Sequence, residues 1–318
     1  MWLALINDTH LTAEKPIARL DDAVATQFDK FHFVLDWAQQ RNARILHGGD
    51  FFDTSRSWRA LAMYIRLLRE HGDVGIYVVS GQHDDYFYNE GAKSHTALGI
   101  LVEAGLVKMI PNQGVTIRSL TEGGGSLSEA ITAQGYSYGQ EPNGEVANVH
   151  HDGPRIMVIH KMILMEKLWA KQENYTSAPI FLRRHKDFDL ILCGDAHQKF
   201  DYSIGKRVIC NTGPLLRAEA SEEMIKHSPG FYSYNTETRK LTWVSIPHRP
   251  ASEVLSREHI EETARVDELL TKFIDGLREV PGAEINLSFT DNLLSFISEN
   301  NVPESVSRII FQLMKENR

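Results

Sequence analysis

The sequence has few cysteines, no long apolar run and no excess of positive charge. Two cysteines, Cys193 and Cys210, occur in 318 residues, and both lie in apolar, strand-like runs. We predict buried, reduced thiols rather than a disulfide, which fits a cytoplasmic protein. The first residues carry no basic segment and turn polar too soon for a signal peptide. No apolar run is long enough to span a bilayer, so we expect no membrane association.

The charge balance excludes strong bulk attraction to nucleic acid. The chain has 34 Lys and Arg against 42 Asp and Glu, a formal net charge of −8. Any contact with phosphates must therefore be local, for example through bound metal ions. With 42% hydrophobic and 24% charged residues, the composition is that of a globular protein. Its length suits one large domain with a small appendage.

Short apolar strands alternate with amphipathic helices, whose apolar residues recur every three or four positions. The predicted helices span about 20–40, 57–71 and 94–104. The predicted strands span 2–6, 44–47, 76–80, 155–159, 190–193 and 208–210, with a hairpin over 230–247. This order predicts an α/β fold with a layered sheet over residues 1–247.

Beyond Pro250 the pattern changes to a small accessory region. We predict a long amphipathic helix at about 257–279, a strand at 284–289 and two short helices, the last beginning at Pro303. Residues 248–318 are therefore predicted to form a small, mostly helical α/β appendage. They are too few to build much core of their own, so we expect them to pack on the main domain or on a partner.

Acids, imidazoles and an amide follow the predicted strands, at the edge where α/β sheets bind ligands. These residues are Asp8, His10, Asp50, Gln82, His83, Asp84, His160, Asp195 and His197. Buried Asp and His are costly unless they are paired or bound to a metal. The mixture of nitrogen and oxygen donors predicts two divalent metal ions bridged by one carboxylate.

The motifs that carry these residues resemble those of the calcineurin-like metallophosphoesterases. They occur in the order Asp-x-His, Gly-Asp, Gly-x-His-Asp, a single His and Gly-x-x-His, and they cover about residues 1–247. Within that superfamily, Gly-Gly-Asp-Phe-Phe-Asp at 48–53 and the short tail resemble the SbcD-type nucleases. The superfamily resemblance implies a layered αββα sandwich over residues 1–247. The resemblance to the nucleases implies a DNA substrate, an SMC-like ATPase partner in DNA break repair and, as a further option, a homodimer.

The resemblance also implies which residues hold the metals. One ion would be held by Asp8, His10, Asp50 and His197, and the second by Asp50, Gln82, His160 and Asp195. The pair would generate a bridging hydroxide that attacks the phosphodiester. His83 would assist the leaving oxygen, and Asp84 would orient His83. Asp53 is either a carboxylate that supports a ligand or a cap of the next helix.

Two positions depart from the family pattern, and both belong to the second metal. Gln82 stands where the family usually has Asn, which moves the amide oxygen outward by one methylene. Asp195 stands where the family usually has His, which replaces a neutral nitrogen by an anionic oxygen. The added charge favours harder ions, Mn²⁺ first and Mg²⁺ second. Both residues are still donors, so we expect a retuned site rather than a lost one.

Other readings stay open from the sequence. The same site would serve a phosphatase or a small-molecule phosphodiesterase, and an impaired site would leave a subunit that only binds DNA or a partner. Three further segments have a functional reading beside an ordinary structural one. Tyr86-Phe87-Tyr88 would stack on bases, and the loop pair His150-His151 would bind a metal. The basic run Arg183-Arg184-His185-Lys186 would contact a DNA backbone. Arg217 would either reach the substrate phosphate or pair with a nearby glutamate.

Overall fold

The structure is a computed structural model that describes residues 1–85, 94–119, 130–142, 153–167, 172, 175–278, 289–300, 302–304 and 306–310. The predictions for Tyr86-Phe87-Tyr88 and for His150-His151 lie outside these residues. So does the predicted strand at 284–289, except for Phe289, where a helix begins.

The described residues contain two large sheets and the helices that cover them. The strands are β1 (Trp2–Ile6), β2 (Arg44–His47), β3 (Ile76–Val78), β4 (Lys108–Met109), β5 (Val115–Arg118), β6 (Ala130–Tyr136), β7 (Arg155–His160), β8 (Ile163–Leu164), β9 (Thr176–Ser177), β10 (Leu190–Gly194), β11 (Phe200–Ile204), β12 (Arg207–Asn211), β13 (Gly230–Asn235) and β14 (Lys240–Ser245). The helices are α1 (Ala23–Gln40), α2 (Trp58–Glu70), α3 (Ala97–Glu103), α4 (Ala178–Arg184), α5 (Glu222–Lys226), α6 (Ala251–Val254), α7 (Glu258–Arg278) and α8 (Phe289–Glu299).

Each large sheet has a parallel centre. The first sheet has the order β14-β13-β1-β2-β3-β4, and β1 to β4 run parallel. The second has the order β11-β12-β10-β7-β6-β5, and β12, β10, β7 and β6 run parallel. In each sheet the carboxyl ends of the parallel strands therefore lie at one edge. This is the edge at which the sequence places the acids and imidazoles.

The two faces of β1 show how the layers are built. Successive side chains of a strand point to opposite faces. Ala4 belongs to an apolar cluster with Phe31 and Leu35 of α1, on the helical side of the first sheet. Leu5 belongs to a different cluster, which contains Ile156 of β7 and lies between the two sheets.

The second sheet has the same two-sided arrangement. Met157 and Ile159 of β7 cluster with Phe181 and Leu182 of α4, on the face away from the first sheet. The order of layers is therefore helix, sheet, sheet, helix. The predicted αββα sandwich is confirmed.

Helix α1 shows why its sequence forms a helix at this place. The Asp22 side chain accepts a hydrogen bond from the Ala25 amide at 3.0 Å, which caps the first turn. Phe31, Leu35 and Ala38 then recur at spacings of four and three and are fully buried. The helix begins at Ala23, three residues later than predicted, because the cap precedes it. Burying one such aromatic or aliphatic side chain contributes roughly 1.5–3 kcal/mol.

The chain divides into two compact units, Met1–Leu255 and Ser256–Arg318. The first unit contains both sheets and also α6, because Leu255 clusters with Ala18 and Ala220. In the second unit the described residues form α7, α8 and a helical stretch at 306–310.

Both thiols are free and buried, as predicted. Burial raises the pKa of the Cys193 thiol and of the Cys210 thiol, which keeps them protonated and unreactive. Among the described helices there is none with the length and apolar character needed to cross a membrane.

Candidate metal centre

The tips of five parallel strands meet at one place and bring the predicted residues together. Past the end of β1, the amides of Asp8 and His10 donate to the carbonyls of Gly49 and Asp50, both at 3.0 Å. These bonds join the tip of β1 to the tip of β2. The second sheet reaches the same point through His160, whose Nδ1 donates to the Gly48 carbonyl at 2.7 Å.

The backbone at these tips is bent into an uncommon conformation. Asp8, His10, Asp50 and Asp195 have φ angles of 49°, 42°, 52° and 81°. A residue other than glycine in this region costs on the order of 1–3 kcal/mol and persists where the surrounding structure enforces it. Such residues cluster at functional sites. The strain fits a site that is shaped to turn its side chains inward.

Glycine is required where the tips pass each other. A Cβ on Gly81 would collide with the Asp50 carboxylate, and one on Gly49 would collide with the His160 ring. Gly49 also has a φ of 98°. The absence of side chains at these two positions makes room for the acid and the imidazole.

The first ligand cluster contains Asp8, His10 and His197, whose ligand atoms lie within 4.8 Å of one another. The Nε2 atoms of the two histidines face each other at 3.2 Å. Burial lowers the pKa of His10 to about 3, against the charge of Asp50, so its ring is neutral. A neutral ring offers the lone pair that a metal needs.

The second cluster contains Asp8, Asp50 and His160. Because the His160 Nδ1 proton is used by Gly48, its Nε2 presents a lone pair when the ring is neutral. That Nε2 lies 2.7 Å from the Gln82 amide oxygen and 3.4 Å from Asp50 Oδ2. Burial alone would lower the pKa of His160, but its interactions with the carboxylates, Asp50 first, raise it to about 10. Three electron-rich atoms thus converge on one point that needs a cation or a proton.

Asp50, a member of the second cluster, lies between His10 of the first cluster and His160 of the second. Its Oδ2 is 3.7 Å from His10 Nε2 and 3.4 Å from His160 Nε2. This oxygen is buried and has no hydrogen-bond partner among the residues that the structure describes. Its other oxygen accepts from the His83 amide at 2.9 Å. Burial would raise the pKa of Asp50, but His160 and His10 lower it to about 2, so it is anionic. An orphaned, buried carboxylate oxygen between two donor clusters fits a bridging metal ligand.

Gln82 and Asp195, the two departures from the family pattern, contact each other. The Gln82 amide nitrogen donates to Asp195 Oδ1 at 3.0 Å, which turns the amide oxygen toward His160. The Asp195 backbone amide also donates to Asp8 Oδ1 at 3.1 Å. The longer arm of Gln82 therefore reaches the second cluster. Direct ligation by Asp195 stays a prediction.

His83 faces the first cluster, and its ring is held by the backbone. Its Nδ1 donates to the Asp53 carbonyl at 2.7 Å, and its ring packs edge-on against His10 with 4.8 Å between centroids. The Asp53 carboxylate lies 3.8 Å from the other ring nitrogen of His10, Nδ1. The residue predicted to orient His83 is Asp84, whereas His83 donates this hydrogen bond to the backbone carbonyl of Asp53.

Asp84 joins the loops after β2 and β3. Its carboxylate accepts from the backbone amides of Phe51, Phe52 and Gly81, each at 3.0 Å. Burial and the charge of Asp50 raise the pKa of Asp84 to about 7, against these three hydrogen bonds. Within the described residues, the hydrogen bonds of this carboxylate all go to the backbone. Asp84 therefore shapes the loops that present Asp50 and His83.

Two asparagines support the centre and were not singled out from the sequence. Asn7 donates to Asp8 Oδ2 at 2.5 Å and to Asn211 Oδ1 at 3.0 Å. Asn211 in turn donates to the Ala196 carbonyl at 2.7 Å, next to His197. The one feature of the sequence that could have indicated these residues is their position at the ends of strands. This feature is weak, because an asparagine at a strand end is not by itself typical of a metal site.

A cleft of about 440 Å³ opens beside the first cluster and is lined by His10, His83 and His197. Lys15 and Ile17 also line it, and Ile17 is 80% exposed. Arg217 faces a different cavity, where its guanidinium donates to the Arg249 carbonyl. The basic run at 183–186 includes the last turn of α4.

Comparison with known proteins identifies the family. The model of the calcineurin-like phosphoesterases matches residues 1–199. The chain belongs to this family. Membership and the ligand clusters support a metal-dependent phosphoester hydrolase, whereas the resemblance to SbcD-type nucleases stays a prediction.

Several solved structures are similar at low identity. One is an archaeal phosphodiesterase, with 11% identity over 77% of this chain and 100% of that one and a TM-score of 0.37. Another is a putative 5'-nucleotidase from Staphylococcus aureus, with 11% identity over 78% and 54% and a TM-score of 0.45. A third is Vps29 from Entamoeba histolytica complexed with zinc, with 13% identity over 76% and 89% and a TM-score of 0.34. No curated protein matches the chain.

Proposed function

We propose that the protein is a two-metal phosphodiesterase that cleaves DNA, with Mn²⁺ as the preferred ion and Mg²⁺ as the second choice. The observation that carries this proposal is the position of Asp50 Oδ2, which is buried between His10 and His160 and has no hydrogen-bond partner among the described residues. Asp8, His10, Asp50 and His197 would hold the first ion. Asp50, Gln82, His160 and Asp195 would hold the second. When bound, such ions activate a water and stabilise the charge on a phosphate.

The protein's own side chains would position the substrate and donate a proton to the leaving oxygen. The Asp53 carbonyl keeps a proton on His83 Nδ1, so the opposite nitrogen, Nε2, is the one left for substrate. His83 also lines the cleft, within reach of a phosphodiester bound at the clusters. In its protonated form it would donate from Nε2 to the leaving oxygen. General acid assistance of this kind contributes typically 10²–10⁴-fold.

DNA is favoured over a small phosphoester by the resemblance. Lys15 in the cleft is a cation that can pair with a backbone phosphate, and it lies there beside the acids Glu14, Asp53 and Glu219. The segment Gly48–Asp53 and the short accessory tail, residues 248–318, resemble the SbcD-type nucleases. On that basis the protein would act in the cytoplasm together with an SMC-like ATPase. It would bind this partner as a monomer or as a homodimer.

The test is a Mn²⁺-dependent cleavage assay on single- and double-stranded DNA, beside an aryl phosphodiester. Wild type should cleave DNA, and His83→Ala should be slower by about 10²-fold or more. His95→Asn changes an exposed histidine outside the site and serves as the matched control. Turnover of the aryl ester without cleavage of DNA would instead indicate a small-molecule phosphodiesterase or phosphatase.

Two results would overturn different parts of the proposal, the hydrolytic activity itself and the role of His83. If wild type and His83→Ala both bind DNA and neither hydrolyses any substrate, the protein is a binding subunit. If the two cleave DNA equally fast, His83 has no part in the reaction.

The partner is tested separately, by light scattering of the chain with and without an SMC-like ATPase. Deletion of residues 256–318 should abolish any complex that forms.

A further inference from the structure

A second group of possible metal ligands lies outside the catalytic centre. It consists of His32 and Asp36 of α1 and of His71, the residue that ends α2. Their ligand atoms all lie within 4.8 Å of one another. Asp36 Oδ1 is 3.0 Å from His71 Nε2 and 3.4 Å from His32 Nε2. One carboxylate oxygen thus faces two imidazole nitrogens that come from two helices.

This group is at the opposite edge of the first sheet from the catalytic centre. The catalytic residues follow the carboxyl ends of β1, β2 and β3. His71 instead lies between the end of α2 and the start of β3 at Ile76, so it is at the amino end of the strands. His32 and Asp36 are one helical turn apart in α1 and face the same side. The two sites therefore share no residue.

The hydrogen bonding of His71 matches that of a metal-bound histidine. Its Nδ1 donates to the Leu67 carbonyl at 2.9 Å, which leaves Nε2 as the nitrogen directed at Asp36. Metal-ligating histidines almost always use their second nitrogen in this way, because the bond fixes the tautomer and the ring orientation. The His71 side chain is 6% exposed, so this orientation is held by packing as well.

The two distances between Asp36 Oδ1 and the imidazole nitrogens also fit ligands of one tetrahedral ion. Ligands about 2.0–2.1 Å from Zn²⁺ at tetrahedral angles are about 3.4 Å apart. The two distances to Asp36 Oδ1 are 3.0 Å and 3.4 Å. His32 and Asp36 are half-exposed, at 42% and 46%, so water can complete the coordination from the solvent side.

We propose that His32, Asp36 and His71 form a binding site for one divalent transition-metal ion of the Zn²⁺ type, which cross-links α1 to α2. Two imidazoles and one carboxylate suit such an ion and are a poor set for Mg²⁺ or Ca²⁺, which prefer oxygen ligands. Without metal, a proton on His71 takes the same position and bonds to Asp36. Asp73, whose carboxylate accepts from Gln39, is the other charged group that acts on His71. The ion competes with that proton.

The experiment counts bound Zn²⁺ by equilibrium dialysis and compares full-length proteins at neutral pH. His32→Asn removes one ligand at a half-exposed position and leaves the buried His71 in place. We expect it to hold one Zn²⁺ fewer per chain than wild type. Its affinity at this site should be at least about 100-fold weaker, because even the groups that support a ligand are worth roughly 10–100-fold. His95→Asn, an exposed histidine elsewhere, should bind as wild type does.

A second measurement makes the result independent of the catalytic centre. In a background carrying His10→Asn, His160→Asn and His197→Asn, which weakens both ion sites of the catalytic centre, Zn²⁺ should still raise the Tm by about 5 °C at roughly 100 times its dissociation constant. Adding His32→Asn should remove that rise. In spectra of ¹⁵N-labelled imidazoles, the His71 Nε2 resonance should move on Zn²⁺ addition. Equal Zn²⁺ content and equal Tm shifts with and without His32 would overturn the site and leave a hydrogen-bonded His71–Asp36 pair.

Discussion

The imidazole Nε2 of His160 lies 2.7 Å from the amide oxygen of Gln82. With the Nδ1 proton donated to Gly48, neither atom has a hydrogen to offer the other when the ring is neutral. The pair is stable only with a proton or a cation, and Asp50 supplies the negative charge that either one would neutralise. Gln82 thus presents its amide oxygen to the second cluster, and its hydrogen bond to Asp195 determines which end of the amide faces His160.

The contact between Gln82 and Asp195 leads to a prediction that separates orientation from ligation. Asp195→Asn keeps an oxygen that accepts from the Gln82 amide, whereas Asp195→Ala removes it. If Asp195 acts by orienting Gln82, the Asn variant should keep its Mn²⁺ affinity within a few-fold. The Ala variant should then lose about 10–100-fold. Calorimetric titration with Mn²⁺ measures both. Equal, large losses in the two variants would show instead that the anionic oxygen binds the ion directly.

Gly81→Ala tests whether the tips of β2 and β3 must pass as closely as the structure has them. The added methyl would collide with the Asp50 carboxylate and displace it from between the two clusters. A misplacement of about 1 Å can cost about 10²-fold in rate, so we expect at least that loss of phosphodiesterase activity. The control is Gly72→Ala, at an exposed position where a methyl meets only ordinary contacts. Activity of Gly81→Ala within a few-fold of wild type would contradict the geometry.

His227 makes stability depend on pH away from the metal ligands. It is 8% exposed, and its Nε2 donates to the Pro214 carbonyl at 2.8 Å. Burial lowers its pKa from 6.5 to about 4, and the charge of Lys30 adds to this against the hydrogen bond to Pro214. Between these values the unfolded chain binds a proton that the folded chain excludes. Stability should therefore be full above about pH 6.5 and fall as the pH drops toward 4, by on the order of 1–3 kcal/mol.

The measurement is urea unfolding of wild type and His227→Gln at about pH 7 and about pH 5. Glutamine can still donate to Pro214 but does not titrate, so the variant should lose less stability on acidification. His95→Gln alters an exposed histidine and should follow wild type. An acid-induced loss in His227→Gln as large as in wild type would show that His227 is not the group responsible.

The strand tips show how far the sequence carries the prediction of the site. Asp8, Asp50 and His160 could be predicted because each lies just past the end of a predicted strand, and their positions depend mainly on local order along the chain. Periodicity also predicted α1, since Phe31 and Leu35 recur at helical spacing. The order of strands and helices predicted an α/β fold, and the αββα layers followed from the family resemblance. These features are encoded by neighbours in sequence.

The contacts between distant residues were not predictable in the same way. The Gln82–Asp195 bond joins positions 113 residues apart, and the Asn7–Asn211 bond joins positions 204 apart. They depend on which strands become neighbours, with β10 between β12 and β7, and that order has no signature in periodicity. The same reason explains the wrong prediction for the partner of His83. The adjacent Asp84 was predicted to orient His83, whereas the ring donates its hydrogen bond to the Asp53 carbonyl, 30 residues away.

The last prediction concerns Asn7, whose side-chain amide donates a hydrogen bond to the Asp8 carboxylate. Its amide donates to Asp8 Oδ2 at 2.5 Å, and its oxygen accepts from the Thr212 hydroxyl at 2.7 Å. Asn7→Ala removes a donor from a buried carboxylate, which should cost about 1–3 kcal/mol of stability in EDTA and weaken Mn²⁺ binding. Asn7→Asp should destabilise the protein more than Asn7→Ala, since it places a second buried carboxylate against Asp8.

Urea unfolding in EDTA and a Mn²⁺ titration of each variant check this order. Asn112→Ala, at an exposed position outside the centre, is the control and should match wild type in both measurements. If Asn7→Asp were as stable as Asn7→Ala, position 7 would be able to share a proton with Asp8, and the amide would not be required as a donor. The relative stability of the two variants thus reports whether Asp8 is held as an anion before any metal binds.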